Sequence, residues 1–151
     1  MTAANNAVPF AFNFDASGNL VAAEAATSSL STYRVNANGS LSSLGTVSDG
    51  AKALCWISSA NGYVFGDNAG SATVSSFSEN SAGAPVLVDA TAATAHTGTT
   101  DSAVSPDGRF LYVESGGAGT IDVYGIGTGG SLSTLETIDS LPLAAEGIAA
   151  G

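Results

Sequence analysis

The chain alternates short apolar runs with clusters of turn residues, and no run reaches the length or the 3.6-residue period of a capped helix. The clearest run is SPDGRFLYV at 105–113. There Asp107-Gly108 forms a tight-turn dipeptide, and Phe110, Leu111, Tyr112 and Val113 are consecutive β-formers. A strand with one wet face alternates apolar and polar residues, whereas a strand without a polar face has to be covered on both sides. Stacked sheets meet that need.

The pattern recurs. Turn glycines Gly18, Gly62 and Gly108 stand in DASGNL, SANGYV and SPDGRF, 44 and 46 residues apart. An aromatic follows each at 15, 15 and 16 residues (Tyr33, Phe77, Tyr124), and a second glycine at 21, 21 and 22 (Gly39, Gly83, Gly130). The extra residue of the third copy is assigned to its SGGAGT loop. Each copy divides into four short strands: 10–14, 20–24, 30–35 and 41–47; 54–57, 63–66, 73–77 and 86–88; 102–104, 110–114, 120–124 and 132–138.

A period in the mid-forties with four strands per unit is that of a propeller blade. A β-sandwich would leave the repeat unexplained. The sequence therefore predicts an all-β fold, a partial β-propeller of about three four-stranded antiparallel blades plus one extra C-terminal strand. The blades fall at about 8–50, 51–98 and 99–142 and the extra strand at about 145–150, all in a single domain, 1–151. Three blades do not close a ring, because propellers have four to eight. The outward faces of the first and third blades need cover, from the missing blades of a longer chain or from an identical chain, two copies giving six blades.

Composition narrows the partners. Thirteen acidic residues against three basic ones (Arg34, Lys52, Arg109) give a net charge of −10, which excludes nucleic-acid backbones and anionic membrane surfaces as expected partners. Cys55 is the only cysteine, so no internal disulfide forms, and its setting before Trp56 and Ile57 predicts a buried core residue. No apolar run is long enough for a membrane helix, and MTAANNAV lacks the features of a signal peptide. Export of a mature form stays compatible with the low lysine content.

PFAFNFDASGNLVAAEA, CWISSANGYVFGDNAGSATVSSF and SPDGRFLYVESGGAGTIDVYGIGTGGSLSTL together resemble the C-terminal half of the lactonase family of seven-bladed propellers. That family includes 6-phosphogluconolactonases and fungal 3-carboxy-cis,cis-muconate lactonizing enzymes. The resemblance implies a sugar lactone or a carboxymuconate-type lactone as substrate and no cofactor. It also implies a catalytic glutamate at the end of a second strand, which falls on Glu24. The arginine and histidine of relatives have no counterpart here: Pro9-Phe10-Ala11-Phe12 and Ala69 stand in their places.

Lactone chemistry needs a group that moves a proton and a donor or cation that holds the developing oxyanion. Six residues after each turn glycine stand Glu24, Asn68 and Glu114. Glu24 and Glu114, with the single histidine, His96, are the candidate catalytic residues; Asn68, Asp101 and Arg109 are the candidate substrate-binding residues. Glutamates capping strand ends, an exposed loop histidine and an aspartate binding turn amides are the structural alternatives. The oxygen ligands follow no spacing that requires a metal, and the glycine-rich segments precede no helix that would bind phosphate. A non-catalytic propeller fragment that binds a protein or glycan, or assembles with itself, is the other functional reading.

Overall fold

The computed structural model describes residues 7–151. It contains twelve strands in three antiparallel sheets, each a meander in chain order. The first sheet holds β1 (Pro9–Phe14), β2 (Leu20–Glu24), β3 (Ser29–Val35) and β4 (Leu41–Ser48). The second holds β5 (Leu54–Ala60), β6 (Tyr63–Asn68), β7 (Thr73–Glu79) and β8 (Pro85–Thr94). The third holds β9 (Thr99–Val104), β10 (Phe110–Ser115), β11 (Thr120–Ile126) and β12 (Leu132–Ile138). The only helical element among the described residues is a 3₁₀ turn at Thr128–Gly130.

Several strands outrun their predicted limits, β8 most of all, because ladder pairing satisfies backbone groups whatever the side chain. Thus Ser76 pairs with Asp89 and Thr73 with Thr94, beyond any apolar signal.

The sheets stack face to face. β1 and β2 meet β5, β5 and β6 meet β9, and β4 and β12 both touch β8, so the first strands gather on one side and the fourth strands on the other. Val21, Ala23, Leu30, Leu54, Ile57, Val64 and Phe77 fill the first junction. Phe65, Val74, Leu111, Val113 and Tyr124 fill the second. The middle sheet is thus buried on both faces, which explains its unbroken Tyr63-Val64-Phe65 run. Gly66 is required there, because a β-carbon would collide with Leu54 and press on the Phe77 ring.

Register corrects the alignment of the third repeat. Leu20 pairs with Tyr33, Val64 with Phe77 and Leu111 with Tyr124, so the three aromatics are equivalent. From these anchors the second strands end at Glu24 opposite Ser29, Asn68 opposite Thr73, and Ser115 opposite Thr120. The loops that follow, 25–28, 69–72 and 116–119, have equal length, so the extra residue does not lie in SGGAGT. It lies in the β9–β10 hairpin, where Val104 pairs with Leu111 across 105–110, while Phe14 pairs with Leu20 across 15–19. The equivalent of Glu24 and Asn68 is therefore Ser115, and Glu114 is equivalent to Ala23 and Asp67.

The outward face of the first sheet carries Phe12, 68% exposed, and Phe14, 52% exposed, in an edge-to-face pair with centroids 6.2 Å apart. On the third sheet the segment after β12 crosses the strand ends, with Leu141 N–H bonded to Gly119 O at 3.0 Å and Ala144 N–H to Gly116 O at 2.8 Å. Its last part, the expected extra strand at 145–150, lies beside β9 through Thr100 Oγ1 to Ala145 O, 3.2 Å, and Ile148 N–H to Asp101 Oδ2, 3.1 Å. It is joined to no sheet ladder.

Candidate functional site

β2, β6 and β10 all end at the same end of the stack, where the connections between sheets also cross. Glu24 leaves β2 on the face turned away from the second sheet, because the alternate residues Val21 and Ala23 point into the first junction. Its side chain is nonetheless 3% exposed. The Tyr33 hydroxyl donates to Oε1 at 3.4 Å, and Oε2 has no hydrogen-bond partner among the described residues.

Asn68 points the same way from β6 and so lies inside the first junction. Its Nδ2 donates to Ser75 Oγ at 2.8 Å and to Thr73 Oγ1 at 3.3 Å, and its Oδ1 accepts from Ser28 Oγ at 3.5 Å. Ser75 in turn donates to the buried Asp49 carboxylate at 3.0 Å. The Asn68 amide is thus engaged in tying the first two sheets together, not offered to a ligand.

Glu114 does not join Glu24. One residue out of phase, it leaves β10 on the far face of the third sheet, opposite Asp101 of β9. Two sheet spacings, roughly 20 Å, separate it from the face that bears Glu24. Burial and the Asp101 carboxylate push its carboxyl above the usual range, Glu146 adds to the shift, and the Gly147 amide opposes it. Asp101 is a local staple, accepting the N–H of Ser102 at 2.7 Å and of Ile148 at 3.1 Å.

Arg109 lies in the β9–β10 hairpin, at the opposite end of the stack. It pairs with Asp107 at 2.6 Å and sits 5.1 Å over the Phe110 ring, so it is not brought to the strand-end site. Arg34, one residue before the end of β3, also lies at that far end. Lys52, in the β4–β5 connection, is the one lysine or arginine at the strand-end face among the described residues; its carbonyl accepts Gly70 N–H at 3.0 Å.

His96, in the β8–β9 connection, is placed at the strand-end face. Asp122 Oδ2 accepts its backbone N–H at 3.0 Å, and the carboxylate meets Nδ1 at 3.0 Å. Asp122 also accepts Thr137 Oγ1 at 2.8 Å, and Ser115 Oγ donates to His96 O at 3.0 Å. Asp122 escaped the sequence reading because its partner is 26 residues away on another element.

Asp67 is the second functional group that sequence reasoning missed. It is wholly buried at the second junction, and neither carboxylate oxygen has a hydrogen-bond partner. Burial pushes it up to about 7; the nearby Ser102 hydroxyl works against that rise and the Asp101 charge adds to it. The signal was available in alternation, since Asp67 shares a face with Phe65.

Close to the first strands lies a cavity of about 210 Å³, lined by Phe10, Cys55, Trp56, Ala69, Thr99, Thr100 and Glu146. Phe10 stacks edge-on against Trp56 there, with centroids 5.5 Å apart. Cys55, expected in the core, is half-buried and borders this cavity, because β5 is an innermost strand with one side open towards the axis. Among the described residues no three His, Cys, Asp or Glu side chains gather in a way that would hold a metal ion.

No family model matches the chain, and no curated protein sequence matches it. Solved structures do. A protein from Lactobacillus plantarum is 21% identical with a TM-score of 0.75, the match covering 87% of this chain and 41% of that one. A provisionally named 6-phosphogluconolactonase of Bacteroides fragilis is 17% identical with a TM-score of 0.81, over 95% of this chain and 42% of that one. The periplasmic gluconolactonase of Pseudomonas aeruginosa is 14% identical with a TM-score of 0.59, over 91% of this chain and 59% of that one. The chain spans less than half the length of the first two, and at these identities the likeness is one of fold. Three meandering sheets stacked about a common inner edge, matched along nearly the whole chain, give this protein the fold of part of a β-propeller, the fold it shares with these structures.

Proposed function

We propose that this chain contributes the strand-end face of a propeller that acts on a small, uncharged sugar lactone, with Glu24 as the proton-moving group. The observation that carries this reading is Glu24 itself, a buried carboxylate at the end of β2 with Oε2 unpartnered and Tyr33 as its neighbour. A carboxylate so placed can take a proton from water attacking a lactone carbonyl, and the Tyr33 hydroxyl is a donor within reach of the same carboxylate. Electrostatics favours an uncharged lactone over a phosphorylated or carboxylated one. The net charge is −10 and Lys52 is the only lysine or arginine at this end among the described residues, so the field repels anionic substrates. The name of the gluconolactonase structural neighbour points the same way.

The test is turnover of glucono-δ-lactone by the chain and by Glu24→Gln, followed as acid release. The expected result is a loss of roughly 10²-fold or more in kcat with folding unchanged, the size of a removed general base. Equal rates would exclude Glu24 from the chemistry. A second reading, a protein- or glycan-binding or self-assembling propeller fragment, is favoured by one observation: Glu24 and Glu114 lie on opposite outer faces and share no pocket.

A further inference from the structure

His96 is held at three points and left open at a fourth. Its amide and Nδ1 both meet Asp122, its carbonyl accepts Ser115 Oγ, and the imidazole is half exposed with no hydrogen bond at Nε2 among the described residues. Asp122 is 3% exposed and takes a further bond from Thr137, so the carboxylate is fixed before any ligand arrives. A carboxylate accepts hydrogen bonds and does not donate them, so whichever ring nitrogen faces Asp122 must carry a proton.

We propose that Asp122 is a positioning residue that locks His96 with its proton on Nδ1, leaving Nε2 as a proton acceptor for hydrolysis of small esters and lactones at the strand-end face. The carboxylate–imidazole pair sets the tautomer in the same way as in hydrolytic triads, where the acid orients the base without taking its proton. In the hydrolytic step a water proton moves to Nε2 as the water oxygen bonds to the carbonyl carbon. The carbon–oxygen bond to the leaving alkoxide then breaks, and the proton on Nε2 passes to that alkoxide. One water is added across the ester, and the carboxylic acid formed loses its proton to solvent. Only the choice of a lactone as natural substrate rests on the function proposed above; the tautomer and the reactivity do not.

The first measurement is the ¹⁵N spectrum of the imidazole in the labelled full chain, followed to alkaline pH until the ring nitrogen shifts stop changing, and read there for the tautomer. The proposal expects the Nδ1–H tautomer to predominate. Asp122→Asn, whose amide can donate to Nδ1, is expected to turn the ring to the Nε2–H form while keeping the shape of the site. Should that variant not fold, Thr137→Val removes only a supporting bond and is expected to retain the Nδ1–H tautomer. A wild-type ring mainly in the Nε2–H form overturns the proposal.

The second measurement uses p-nitrophenyl acetate as the ester. His96→Gln is expected to lower its hydrolysis by at least about tenfold, while Arg34→Gln, at the opposite end of the stack, leaves it unchanged. No difference between wild type and His96→Gln also overturns the proposal. Hydrolysis of the ester without turnover of glucono-δ-lactone would instead remove the lactone reading and leave the pair standing.

Discussion

Asp67→Asn is expected to stabilise the protein at pH 8 by about 2–4 kcal/mol and to change it little near pH 4, following the linkage between protonation and folding. Asp67 is wholly buried, with both oxygens unpartnered, and its carboxyl is raised from 3.8 to about 7. A group whose folded pKa exceeds its unfolded value contributes stability that is fully present below the unfolded value. That contribution is lost as pH rises through the folded value. The window for Asp67 therefore runs from about pH 4 to a little above 7, and asparagine, which cannot ionise, escapes the loss.

Glu79 acts in the same direction. Burial raises its carboxyl to about 7, and the Asp15 carboxylate adds to the shift through a hydrogen bond and its charge. Asp15 runs the other way. Burial opposes ionisation there, but bonds from Asn19, Glu79 and Ser17 hold it low, so its contribution is lost as pH falls. Denaturant titrations at pH 5 and pH 8 check the balance. A wild type equally stable at both, with no gain in the asparagine variant, would mean that Asp67 does not ionise in a dry site.

Two phenylalanine substitutions should differ sharply. Phe65→Ala removes a fully buried ring from the second junction, where Val74, Leu111, Val113 and Tyr124 surround it. The lost burial and the cavity left behind cost about 3–5 kcal/mol, a large part of the 5–15 kcal/mol typical of a folded domain. Phe12→Ala removes a ring that is 68% exposed on the first sheet and is expected to cost less than about 0.5 kcal/mol in the isolated chain. Denaturant midpoints of both variants at several protein concentrations are the measurement. A concentration-dependent loss at Phe12 approaching that at Phe65 would show that another sheet covers this face in solution.

The contrast between these two rings marks how far the sequence reaches. Turn glycines and the spaced aromatics Tyr33, Phe77 and Tyr124 identify the repeat, because both are dictated locally: a turn needs its glycine and a sheet core its ring. The double-sided apolar runs require stacked sheets for the same reason. Phe12 and Phe65 nevertheless look alike in sequence, since each stands in an apolar run. Only the position of a sheet within the stack separates them.

The placement of charged groups depended on still finer geometry. Side chains alternate with a period of two, so the one extra residue in the β9–β10 hairpin turned Glu114 to the opposite face from Glu24 and put Ser115 in its place. No count from a glycine could reveal which loop absorbed the insertion; strand pairing decides it. The burial of Asp67 and the union of His96 with Asp122 are likewise contacts between elements far apart in the chain, fixed only when the sheets come together. Local residue pattern determined the strands and their recurrence, because turns and β-runs are short-range. The tertiary structure alone decided which side chains meet, because facing depends on register and on what each sheet packs against.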